Sequence, residues 1–164
     1  MSSISSKSGP EAEVIAIACD HAGYQLKTEV VNVLTELGVQ VKDLGCSNSD
    51  ESVHYPVFGK KVVDEVLSQP NNRGILICGT GLGMSIIANR FPGIRAALCH
   101  DVSTAVMSRR HNDANLLVLG GRMIGPQLAR EIVRAWLTTP FDGGRHQDRL
   151  DLLEQLAGPR TNTD

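Results

Sequence analysis

Aromatic side chains are scarce in this chain: one Trp, two Tyr and three Phe, or 4% of the residues. Its core must therefore be filled by aliphatic groups. No apolar run in it is long enough to cross a bilayer as a helix. Met1 to Pro10 is Ser-rich and holds no apolar stretch, so no signal peptide is read there. The formal charge is only −2, which argues against a nucleic-acid or anionic-membrane surface. No CxxC pair occurs among Cys19, Cys46, Cys78 and Cys99, and a structural zinc site loses its usual spacing. No repeat of 20–50 residues and no internal linker divides the chain.

What is present fits one domain. The chain has 164 residues, 41% hydrophobic and 21% charged, as expected of a soluble globular protein. Residues 1–12 are expected to form a disordered tail, 13–157 a single domain, and 158–164 a flexible tail. Three cysteines follow apolar runs, and cysteines at strand ends in such a chain are usually free thiols, which points to the cytoplasm.

Five short apolar runs alternate with helical patterns. The runs are 14–19, 39–44, 75–78, 94–99 and 116–119. Val14 to Cys19 is apolar throughout, as in a strand buried on both faces. Helical spacing runs over 24–37, with Gly38 as the terminating glycine. Further helices are read at 56–67, 84–90, 102–110, 126–137 and 145–156, with Pro56 and Pro126 in first turns. This alternation predicts a parallel sheet covered on both faces. Ligands in such sheets bind beyond the carboxyl ends of the strands. The residues there are Asp20-His21, Asp43, Cys78-Gly79-Thr80, His100-Asp101 and Gly121-Arg122.

The densest signal is GILICGTGLGMSIIANR at 74–90. A strand delivers the Cys78 thiol into a loop with Gly79, Gly81 and Gly83, and a helix follows. Such a loop can offer several backbone N–H groups to one anion. A thiol at the rim of such a site can be held as thiolate. A base beside an oxyanion site suits proton abstraction next to a carbonyl. Competing readings stand beside this one. The loop departs from GxGxxG, although Asp101 keeps a dinucleotide reading open; no GK[ST] follows, so Walker A is excluded. Cys78 can equally be an inert buried cysteine.

Other candidates have plain explanations of their own. Asp20 can cap a helix and leave His21 solvated. His111-Asn112-Asp113 reads as a loop triplet, although a histidine there can move a proton near neutral pH. Arg145 and Arg149 lie one helical turn apart and, with Arg122, form either a solvated basic face or a phosphate grip. A metal site from His21, His100, His111 and aspartates has no spacing signature.

Taken together, six motifs resemble the B-type ribose-5-phosphate isomerases, in the family that also holds galactose-6-phosphate and allose-6-phosphate isomerases. They are IACDHAGYQLK at 17–27, HYP at 54–56, ICGTGLG at 77–83, NRFPGIRA at 89–96, RRHNDANLLVLGGR at 109–122 and GGRHQDR at 143–149. The resemblance spans about Val14 to Leu156. It implies a three-layer Rossmann-like α/β fold with a five-stranded parallel sheet. It also implies a homodimer with active sites at the subunit interface, or a tetramer, and isomerisation of a sugar phosphate without metal or nucleotide cofactor. Carried over by residue, Cys78 is the acid/base and Thr80 its partner. Gly79, Gly81, Leu82, Gly83 and Met84 supply backbone N–H groups to the enediolate. His111 opens the sugar ring. Asp20, His21, Tyr55 and Asn112 orient the sugar, and Arg122, Arg145 and Arg149 hold the phosphate.

Two positions mark where the resemblance branches. One branch uses a glutamate base where this chain has Met84, which groups the chain with the cysteine-using enzymes. The stretch HYPVFGKK at 54–61 is similar to the galactose-6-phosphate isomerase B subunit, whereas many ribose enzymes carry Asp before Tyr-Pro. Ribose 5-phosphate is the expected substrate, with galactose 6-phosphate and allose 6-phosphate as alternatives. A non-catalytic sugar-phosphate-binding protein and a redox-sensing thiol protein are the rival classes.

Overall fold

A computed structural model describes residues 14–70 and 72–157; the tails expected at 1–12 and 158–164 lie outside the described residues. Five strands are formed: β1 (Val14–Cys19), β2 (Gln40–Asp43), β3 (Arg73–Cys78), β4 (Ala96–Leu98) and β5 (Leu116–Gly120). Six helices alternate with them: α1 (Tyr24–Glu36), α2 (Tyr55–Ser68), α3 (Leu82–Ala88), α4 (Val102–Asn112), α5 (Pro126–Thr138) and α6 (Arg145–Leu156). All strand pairs are parallel, in the order β2-β1-β3-β5-β4. The three-layer, five-stranded parallel α/β architecture expected from the sequence is the one observed.

Strand alternation decides the layers. Ile15, Ile17, Cys19, Ile75, Ile77, Leu117 and Leu119 face α1 and α5, where Val30, Val33, Ile132 and Trp136 meet them. Ala16, Ala18, Leu76, Leu116 and Val118 face α2 and α3, where Val62, Val63, Val66 and Met84 meet them. Both clusters are almost wholly aliphatic, as the low aromatic content requires. Among the described residues, no helix is long and apolar enough to cross a membrane.

The chain steps outward from β1 to β2, then returns past β1 to β3. The carboxyl ends of β1 and β3 therefore flank the point where the winding reverses, which is where open α/β sheets make their crevice. Gly38 sits at φ +72, the left-handed conformation predicted for it at the end of α1.

One local reading is corrected. His111 and Asn112 are not in a loop; they form the last turn of α4, which ends at Asp113 with φ 43. Asp113 tolerates that conformation because its carboxylate is held by Arg109 at 2.9 Å and Arg95 at 3.3 Å. Its N–H also donates to the Arg109 carbonyl at 3.2 Å. The Arg95 contact is invisible to local spacing. Elsewhere α3 begins two residues earlier than the periodicity suggests, because Gly81 at φ +80 already serves as its cap.

Trp136 is fully buried and lies between the guanidinium groups of Arg73 and Arg109, at 4.9 and 5.9 Å from the ring centre. Trp136→Ala is expected to lower unfolding free energy by about 3–5 kcal/mol. Urea denaturation followed by circular dichroism measures this; a loss under about 1 kcal/mol would show that the α5 layer does not depend on the ring.

Candidate active site

The glycine loop leaves β3 through Cys78, which is 5% exposed. Its sulfur accepts the Gly81 N–H at 3.2 Å, so the loop curls back over the thiol. The exposed Thr80 accepts the Leu82 N–H through Oγ1 at 3.3 Å. Within α3 the Ser85 N–H bonds to the Gly81 carbonyl at 3.0 Å. The preceding N–H groups of Gly83 and Met84 are first-turn donors with no place in the helical ladder. Met84 itself is fully buried among the α2–β3 side chains, so only its backbone can face a ligand. Gly83 lies under the Tyr55 ring: a Cβ there would be 2.7 Å from Cζ.

Two neighbouring loops close in on this one. Asp20 is 7% exposed, and its Oδ1 accepts the Ala22 and Gly23 N–H groups at 3.0 and 3.1 Å. His21 Nδ1 accepts the Val53 N–H at 3.2 Å, which leaves Nε2 as the donor of the neutral ring. Arg122 donates its N–H to the Gly79 carbonyl at 2.9 Å, and its side chain lies over Gly79. Backbone closeness locks the three loops. A Cβ on Gly23 would stand 2.7 Å from the Ile77 carbonyl oxygen, and one on Gly120 would stand 2.7 Å from the Thr80 carbonyl oxygen.

The remaining predicted residues form a second group. His111 stacks on His146 with ring centres 4.2 Å apart and planes 7° from parallel. Asn112 follows His111 on α4, and Arg145 and Arg149 flank His146 on α6. Asp142 is clasped by Arg110, with Nη2 at 3.1 Å. His146 is buried, and this desolvation, followed by the nearby His111, Arg145 and Arg149, holds its pKa below the usual histidine value. The Arg110 hydrogen bond holds the Asp142 carboxyl below its usual range.

This group was only partly foreseen. His146 and Asp142 were not singled out from sequence, although His146 lies inside GGRHQDR between two chosen arginines. Ligand atoms of His111, Asp142 and His146 lie within 4.8 Å of one another. The suspected metal partners His21 and His100 are not in that cluster. Arg110 occupies the Asp142 carboxylate, and the adjoining arginines make the cluster cationic, so its donor set suits an anion better than a metal ion.

The two groups sit at opposite ends of the sheet. Cys78 pairs with Gly120 at the top of the β3–β5 ladder, and Gly74 pairs with Leu116 at the bottom. Helix α4 runs back against the strands, so His111 reaches the level of Leu116 and the lower edge. Rising from residue 74 to 78 covers ~13 Å of strand. Among the described residues, no hydrogen bond, ion pair or ring contact joins the Cys78 group to the His111 group. Asp43 and Asp101, also at strand ends, are used structurally: Asp43 pairs with Lys27 at 2.8 Å, and Asp101 caps α4 through the Thr104 N–H at 2.8 Å.

A parallel sheet with a thiol and a donor-rich loop at its switch point defines a sugar-phosphate isomerase once its relatives are considered. The family profile described as Ribose/Galactose Isomerase matches residues 15–153, and the chain belongs to that family. It is similar to ribose-5-phosphate isomerase B of Escherichia coli, at 48% identity over 87% of this chain and 95% of the relative. It is also similar to the solved structure of a ribose 5-phosphate isomerase from Thermotoga maritima. There the TM-score is 0.84 and the identity 53%, covering 87% of this chain and 98% of that one. A D-erythrulose-4-phosphate isomerase of Pectobacterium atrosepticum is 42% identical over 85% of this chain and 91% of its own. The chain is thus an enzyme of the sugar-phosphate isomerase class.

The lowered pKa of His146 has a definite pH signature. Its stabilising contribution is present above the ordinary histidine pKa of about 6.5 and is lost as pH falls toward the lower folded value. His146→Phe should therefore flatten the fall in denaturation midpoint between about pH 7 and pH 5. An unchanged slope in the variant would show that another group carries the acid sensitivity.

Proposed function

We propose that this protein interconverts ribose 5-phosphate and ribulose 5-phosphate through an enediolate, in the cytoplasm, as a homodimer whose sites are shared between subunits. The observation that carries the reading is the Gly81 N–H on the Cys78 sulfur at 3.2 Å, at the head of the glycine loop and beside Asp20 and Arg122. That arrangement puts a proton-accepting sulfur next to a set of backbone donors, as enolisation beside a carbonyl requires.

The chemistry follows from the two groups. His111 opens the furanose ring by moving the proton between the anomeric hydroxyl and the ring oxygen. Cys78, as thiolate, takes the proton from carbon 2. Negative charge passes to the substrate oxygens, where N–H groups of the 79–84 loop receive it; one such donor is worth about 3–4 kcal/mol in comparable sites. Thr80 partners the same oxygens. The hydroxyl proton on oxygen 2 passes to oxygen 1, and the thiol returns its proton to carbon 1, which completes the ketose. Asp20, His21, Tyr55 and Asn112 orient the hydroxyls.

His111 cannot act on its own Cys78 across the sheet, so a second copy must bring it there. Arg145 and Arg149 travel with it, and meet Arg122 of the first copy around the phosphate, where arginine forks suit the dianion. Leu82 and Ile86 on α3, both 57% exposed, supply apolar surface next to the loop for that copy to cover.

Ribose 5-phosphate should be turned over in preference to erythrulose 4-phosphate, galactose 6-phosphate and allose 6-phosphate. Preference for a six-carbon sugar would keep the mechanism and make exposed His54 and its neighbours the specificity wall. Cys78→Ala should fold normally and lose about 10²–10⁴-fold in kcat; near-normal turnover would end the proposal and move weight to a binding role. Sharing of sites has its own signature. Unfolding and refolding a mixture of inactive Cys78→Ala and His111→Ala chains should restore up to about a quarter of wild-type activity, because half the dimers are hybrids with one intact site. No recovery would place both residues in one subunit's site.

A further inference from the structure

The proposed reaction uses one thiol, and the structure brings two others together. Cys19 ends β1, and Cys46 lies in the loop after β2. Their sulfur atoms are 3.6 Å apart and both residues are buried. The Cys46 N–H donates to the Cys19 carbonyl at 3.3 Å, so the two are neighbours across adjoining parallel segments. Such neighbours lie about 4.7–4.9 Å apart, inside the Cα separation of about 4.4–6.8 Å that a disulfide spans. Cys99 directs its sulfur to the Ala97 carbonyl instead, at 3.7 Å.

We propose that Cys19 and Cys46 form a thiol–disulfide site, oxidised by a peroxide that enters beside Cys46, and that the bond acts on the sugar-phosphate site through His21. A cleft of about 250 Å³ opens at Cys46, lined also by Gly45, Ser47, Asn48, Glu51 and Phe58. Cys46 is 7% exposed and Cys19 not at all, so a small oxidant meets Cys46 first. Lys27 sets a cation beside the pair, with Nζ 3.0 Å from the Cys46 carbonyl oxygen. Burial, and then the contact with Cys46, push the Cys19 thiol up in pKa. That suits Cys19 to the second step rather than the first.

The steps balance. The Cys46 sulfur attacks the peroxide, an S–O bond forms, the O–O bond breaks, and water leaves Cys46 as a sulfenic acid. The Cys19 sulfur then attacks that sulfur, an S–S bond forms, the S–O bond breaks, and a second water leaves. Two thiols lose two electrons and the peroxide gains them. A dithiol reverses the reaction by exchange.

Bond formation draws the sulfurs from 3.6 Å to about 2.05 Å. It thereby pulls the 46–53 loop against the end of β1. Asp20 and His21 follow Cys19 directly, and the far end of that loop holds His21 through the Val53 N–H. The effect on catalysis rests on the reading above that His21 contacts the substrate; the disulfide itself does not.

The test exposes the full-length protein to hydrogen peroxide, alkylates free thiols under denaturing conditions, and maps peptides without reduction. The expected result is two of the four thiols protected and one peptide pair joining Cys19 to Cys46, lost on adding dithiothreitol. The link should persist in Cys78→Ala and be absent from Cys46→Ser and Cys46→Ala, which keep basal turnover. Four alkylatable thiols after treatment, or a link through Cys78, would overturn the site. In linked wild-type protein KM for the sugar phosphate should rise at least about three-fold and recover with dithiothreitol. Oxidation of Cys78 lowers kcat and leaves the KM of surviving sites alone, so the two events separate. A linked protein with unchanged KM would overturn the coupling to His21 while leaving the disulfide standing.

Discussion

Backbone contact at the carboxyl end of the sheet is the constraint on which the site depends. The turn after β1 passes so close to the end of β3 that residue 23 has room only for hydrogen toward the Ile77 carbonyl. The end of β5 passes the Thr80 carbonyl in the same way at residue 120. These approaches weld the segments bearing Asp20, Cys78 and Arg122 into one rigid floor. Hydrogen bonds from the Asp20 N–H to the Ile77 carbonyl, at 3.2 Å, and from the Gly121 N–H to the Cys78 carbonyl, at 2.8 Å, continue the ladders past the strand ends. The Cys78 sulfur so held keeps its aim without a loop that must first become ordered.

The sheet also divides the chemistry. Its upper edge holds a thiol, backbone donors and one arginine. Its lower edge holds a stacked histidine pair, a clasped aspartate and two further arginines. Under the proposed reaction neither half is a complete site by itself, which is why that reaction calls for a second copy. The stacking of His111 on buried His146 fixes the plane of the His111 ring.

Much of this was readable from residues alone, for physical reasons that can be named. β1 announced itself by an unbroken apolar run, because a strand covered on both faces has no polar side to show. Cys78 stood out because a thiol directly before closely spaced glycines has few purely structural uses. Motif order pointed to His111 and the arginines as candidates, and α4 and α6 bring His111, Arg145 and Arg149 to one end of the sheet. What the sequence could not show were relations set by distant contacts. Asp113 ends α4 in a left-handed conformation, where Arg95, from just before β4, joins Arg109 at its carboxylate. His146 was passed over because its value lies in a ring 4.2 Å away on another helix. Separation of the two groups follows from strand register and helix direction, which spacing does not encode.

Met84 ties the glycine loop to the packing beneath it. In the glutamate-using branch that the resemblance identified, this position holds the base; here its side chain is entirely enclosed. Its sulfur packs 3.2 Å from where a Cβ of Gly59 would be. A carboxylate placed in that pocket would be stranded in apolar surroundings, far costlier than a thioether. The pocket of this chain is therefore fitted to an apolar side chain, and a change at residue 84 would press on the α2 packing as well as on the loop.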